Sequence, residues 1–139
     1  FRVHYAGLEL QGFYTGSMFD LGGAQSERVA RQVFRVTAND DVTVYGLNQA
    51  QYTSDAFLAL PVSSLGKEYM VLAYKSDARG LLFMPNSRDE VSTPSQFAVI
   101  ATRNNTEIRI LPSAPTLVSG STAAQVVRLN EGEVYLVQA

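Results

Sequence analysis

Along almost the whole chain the apolar residues recur with a local period close to two. A strand turns successive side chains to opposite faces, so this period fits strands rather than helices. Arg31–Val36 (RQVFRV) leads through Asn39-Asp40-Asp41 into Val42–Tyr45, and Gln96–Ala101 (QFAVIA) leads through Arg103-Asn104-Asn105 into Thr106–Leu111. Both read as hairpins, because Asn and Asp tolerate positive φ and bond their own backbone in turns. The matches between the two are sparse, which favours two separate hairpins over a worn internal repeat. Further strands are predicted at Phe1–Tyr5, Leu8–Tyr14, Ala56–Leu60, Tyr69–Tyr74, Leu81–Met84, Ala124–Leu129 and Glu133–Val137, with Asn130-Glu131-Gly132 as a tight turn joining the last pair. Only Gln25–Gln32 has room for two helical turns, and its continuation into VFRV fits a strand as well. Many short strands with Gly, Pro and Asn punctuation predict an all-β fold, a β-sandwich of jelly-roll-like or immunoglobulin-like topology.

A chain of 139 residues suits one domain that buries roughly two thirds of its unfolded surface. The expectation is a single sandwich over residues 1–139, cut from a longer surface protein, since the chain opens on Phe1 without a methionine. Hydrophobic residues make up 46% and charged residues 17%, too apolar a balance for a disordered segment. The net charge of −2 and the scatter of the nine Arg and two Lys speak against a nucleic-acid partner, which asks for a basic stripe. No run approaches the roughly 18 apolar residues of a membrane span. With no cysteine, disulfides and thiolate metal sites are excluded. Ala56–Leu60 and Tyr69–Tyr74 are apolar on both alternating faces, as strands interior to a fold are. Phe57, Leu58, Leu60, Val71 and Leu72 are therefore the expected core.

Ser64-Leu65-Gly66-Lys67 spells S-x-x-K, the spacing of serine acyl enzymes. Those enzymes bring Ser and Lys together on one helical turn, where positions i and i+3 share a face. Here Pro61 lies upstream and Gly66 lies between the pair, and no S-D-N or K-T-G accompanies them. The stretch reads as a non-helical crossover between strands, and no catalysis is expected. His4 is the only histidine and has no G-x-S-x-G partner. Asp40-Asp41 and Asp89-Glu90 are adjacent pairs whose members point apart on a strand. Asn39, Asp40 and Asp41 are weak candidates for calcium, since they supply oxygens but form no D-x-[DN]-x-[DN]-G loop. No cofactor is expected. Asn104-Asn105-Thr106 fits a glycosylation sequon, yet its place between two strands reads as a turn. The tyrosines at 45, 52, 69, 74 and 135 offer the apolar face and polar tip that sugars stack on, but their alternation with aliphatics favours packing.

Val36–Asn48 (VTANDDVTVYGLN), Tyr52–Val62 (YTSDAFLALPV) and Leu65–Tyr69 (LGKEY) resemble the N-terminal domain family of IgG Fc-binding proteins. FAVIATRNNTEIRI and VVRLNEGEVYLVQA are similar to its later hairpins, so the resemblance runs from about Val33 to Ala139. It implies an extracellular, β-rich module, and it does not by itself imply antibody binding. The absence of cysteine departs from the Cys-rich animal members and leans toward a bacterial relative. The family pattern usually continues past VYLVQA, so final strands are expected beyond Ala139.

The expected function is non-catalytic binding or adhesion at the cell surface or outside the cell, with an extracellular protein or glycan as partner. The rivals are a carbohydrate-binding module of a larger enzyme and a structural spacer. Recognition in sandwiches falls on loops. Pro85–Ser95 is the longest polar break, which makes Asn86, Ser87, Arg88, Asp89 and Glu90 the candidate ligand-binding residues.

Overall fold

The structure, a computed structural model, describes residues 26–50, 53–73 and 95–139. The described residues fall into two compact units, one comprising 26–34, 71–73 and 95–139, the other 35–70. The fold is all-β with antiparallel sheets, as expected of a sandwich chain. Its strands are β1 (Val29–Ala30), β2 (Tyr45–Ala50), β3 (Thr53–Leu58), β4 (Gln96–Ile100), β5 (Thr106–Ile110), β6 (Gln125–Leu129) and β7 (Val134–Gln138). The strands predicted at Phe1–Tyr5, Leu8–Tyr14 and Leu81–Met84 lie outside the described residues.

In the first unit, β7 runs between β1 and β4, and β5 pairs with β6 in a second sheet. The strand positions after residue 95 follow the alternation to within a residue. Their pairing differs from expectation. Gln96–Ala101 and Thr106–Leu111 do not form a hairpin, and Asn130-Glu131-Gly132 does not join two paired strands. Instead β4 pairs with β7 from Gln96↔Gln138 to Ile100↔Val134, while β5 pairs with β6 from Thr106↔Leu129 to Ile110↔Gln125. The two arms, 96–110 and 125–138, thus form one long antiparallel ribbon bent across its middle, each half lying in a different sheet. Period two reveals which face a residue takes but not which strand lies beside it, so the sequence pattern fits a hairpin and a bent ribbon equally.

The bend is built from backbone hydrogen bonds. Gly132 N–H donates to Ala101 O (2.9 Å) and Ala101 N–H donates to Glu133 O (3.0 Å), so two residues of one arm oppose a single residue of the other. That is a β-bulge with glycine at its left-handed position, and Gly132 has φ 78°. Glu133 N–H donates to Asn130 O (2.9 Å) and closes the turn. Between the paired segments one arm carries Ala101–Asn105 and the other Asn130–Glu133, five residues against four. In the longer arm Asn105 has a φ of 53°, which a short polar side chain tolerates. Asn105 N–H donates to Asn130 Oδ1 (3.2 Å) and Glu131 N–H to Asn104 Oδ1 (3.1 Å), bracing the two turns against each other.

Inward positions of both sheets meet in one core. Ala101, Ile110, Leu129, Tyr135 and Val137 are buried together, with Phe97, Ile108 and Val127 packed against them. The alternation in β5 and β6 is the reason: Ile108, Ile110, Val127 and Leu129 share a face, while Glu107, Arg109, Val126 and Arg128 face out. Outside, Arg128 Nη2 and Nε donate to Glu107 Oε2 across the strands (2.9 and 3.2 Å); exposed pairs of this kind contribute up to about 1 kcal/mol. β7 is buried along its whole length. It is flanked by β4 on one side and by β1, Glu27 N–H and Leu117 N–H on the other.

Glu133 fastens the bend electrostatically. Its Oε2 accepts from Asn130 N–H (2.7 Å), and its Oε1 accepts from Arg31 Nε and Nη2 (3.4 and 3.5 Å). The Asn130 backbone bond, with a smaller contribution from Arg31, holds the carboxyl below its ordinary value of 4.5, against a partial desolvation that raises it. A lowered folded pKa stabilises the fold above the unfolded value, and that stabilisation is lost as pH falls through the folded value. Glu133→Gln is therefore expected to lower the urea midpoint near neutrality, with a deficit that shrinks as the pH is taken to progressively more acid values below 4.5. A deficit of equal size at every pH would show that the charge plays no part.

The second unit departs furthest from expectation. Arg31–Val36 and Val42–Val44 are not strands; β2 begins at Tyr45 and pairs with β3 through a two-residue connection at 51–52. So short a connection closes at less entropic cost than the turn through Asn39–Asp41. Phe57 stands opposite Gly46, and its ring lies where a β-carbon at Gly46 would be, an aromatic covering a strand glycine. The expected core fails: Phe57, Leu58 and Leu60 of this unit are exposed, and so are Val71 and Leu72, which belong to the first unit, Leu72 to 90%. Within the unit β2 and β3 form a sheet of only two strands, and residues 69–73 are irregular. Apolarity on both faces marks an interior strand only where further strands cover it.

Candidate functional site

Asn86, Ser87, Arg88, Asp89 and Glu90, the expected ligand-binding residues, lie outside the described residues, as do His4, Tyr52 and Tyr74. Asn39, Asp40 and Asp41 are exposed, with a bend at Asn39–Asp40 as their composition predicts. Among the described residues no three of His, Cys, Asp and Glu gather as metal ligands would. Asp40 and Asp41 remain a pair.

The S-x-x-K segment is folded locally. Pro61, with φ −66°, leads into a single 3-10 turn over Val62–Ser64, where a non-helical connection was expected. Proline presets that φ. The turn ends at once, since Leu65 is extended at φ −77° and ψ 140°, and Ser64 and Lys67 therefore share no helical face. Ser64 Oγ donates to Pro61 O (2.8 Å), and its N–H reaches the same carbonyl (3.0 Å). The hydroxyl caps a turn. Beyond it, Gly66 N–H donates to Tyr69 Oη (2.8 Å), so the phenol closes the loop across Lys67.

Tyrosine placement divides the earlier reading. Tyr135 packs in the core as its alternation predicts, whereas Tyr45 and Tyr69 are exposed. The Tyr135 hydroxyl donates to Gln125 Oε1 (3.2 Å), tying the central strand of one sheet to the edge of the other. Burial, and to a lesser degree the charge of Glu27, push this phenol above its ordinary pKa. A raised pKa keeps the proton on the oxygen, so Tyr135 acts as a donor holding the sheets together and not as a base. Sequence reasoning missed both this bond and the Arg31–Glu133 pair: the first depends on how the two sheets pack, and the second joins residues 102 positions apart.

Sequence comparison bears on the same segments. The family model described as IgGFc binding protein matches residues 55–139, more than half of the chain and all of the bent ribbon. The chain belongs to the IgGFc-binding protein family. Members are binding domains, and the match supports a β-rich binding module. It begins later than the resemblance did, so Val36–Asn48 precedes it. Neither the curated proteins nor the solved structures compared with the chain gave a match.

Among the described residues no helix is long and apolar enough to cross a membrane. What the geometry offers is a fixed scaffold. Two sheets share a core, and turns around them are held by side chains: Asn104 and Asn130 at the bend, and Thr116 Oγ1 with Ser119 Oγ (2.7 Å) in the connection between β5 and β6. Such a frame can hold recognition loops still.

Proposed function

We propose that the chain is a non-catalytic binding or adhesion module of an extracellular or cell-surface protein, related to bacterial members of its family. The observation that carries this reading is the family match across residues 55–139. A sandwich places rigid sheets behind loops that differ freely in sequence, and binding residues concentrate on such loops. In this reading the ligand is an extracellular protein or a glycan, and Asn86, Ser87, Arg88, Asp89 and Glu90 contact it with their charged and hydrogen-bonding groups. Calcium enters only through Asn39, Asp40 and Asp41, and unchanged binding in a chelator would remove it from the reading.

A carbohydrate-binding role within a larger enzyme is the second reading, and the exposure of Tyr45 and Tyr69 favours it. Tyr69 is held by its bond to Gly66 N–H, and a fixed, exposed ring suits stacking on a sugar. The test is the immobilised chain screened against a glycan array and against extracellular proteins that include antibody Fc. Saturable binding to one class is expected. Replacing Asn86–Glu90 by a Gly/Ser linker should then weaken binding with little change in melting temperature, and unchanged affinity would move the site elsewhere. No binding to any probe would leave a spacer that presents a neighbouring domain.

A further inference from the structure

We draw no further inference here: the strongest candidate, the exposed apolar surface of the 35–70 unit around the hairpin of β2 and β3, carries none, because nothing in the structure shows what covers it.

Discussion

Leu129→Ala is expected to destabilise the fold by about 2–5 kcal/mol, the cost of lost burial plus the cavity left behind. Leu129 is 0% exposed and ends β6, on the face that β5 and β6 turn toward Tyr135 and Val137. It is also the partner of Thr106 at the first register position after the bend, so the vacated space lies where the two sheets join. Leu72→Ala provides the contrast. That side chain is 90% exposed, and its truncation should change stability by no more than about 0.5 kcal/mol. Urea titrations of the two variants measure the difference. Equal losses at both positions would mean that the core is not where the packing places it.

Gly132→Ala should cost about 1–2 kcal/mol, the penalty for an L side chain in left-handed geometry. Space is not the obstacle. A β-carbon at Gly132 would meet Val33 Cγ2 at 3.8 Å, an ordinary contact. The penalty arises because φ 78° is fixed by the bulge bonds to Ala101. Asn105→Gly is the companion variant, since Asn105 also has a positive φ, 53°. It should come out near neutral: glycine relieves the backbone but also frees the unfolded chain. A Gly132→Ala protein as stable as wild type would show that the turn readily takes another shape.

Much of the second half of the chain is legible from its sequence, and the reason is local. In Thr106–Ile110 and Gln125–Leu129 the aliphatic residues Ile108, Ile110, Val127 and Leu129 recur at every second position, and the charged Glu107, Arg109 and Arg128 fall between. Such runs fix both strand and face. Partnership is decided by the bend, which depends on hydrogen bonds between Ala101 and Gly132–Glu133, far apart in the chain. Phe57 and Leu72 depart from expectation for a different reason. Their neighbours are apolar on both faces, and burial depends on what other segments bring to those faces. The S-x-x-K spacing resolves from local chemistry alone, because Pro61 and Gly66 interrupt the helix that the motif requires. Ligand contacts would leave no comparable trace, since a polar run such as Pro85–Ser95 has no period to read.

The bent ribbon has a consequence for the order in which the fold assembles. Ile110 and Gln125, at its tip, are 125 − 110 = 15 residues apart, whereas Gln96 and Gln138, at its open end, are 138 − 96 = 42 apart. Closing the shorter loop costs less chain entropy, and each pair formed brings the next within reach. Assembly is therefore expected to zip from β5 and β6 outward, cross the bend and finish with β4 against β7. Folding rates should respond more to substitutions at Ile108 and Val127, and unfolding rates more to those at Phe97 and Val137; the reverse would rule out this order. A ribbon that closes from its tip completes last the sheet in which β7 is sandwiched. Until then β7, the most buried of the described strands, stands open.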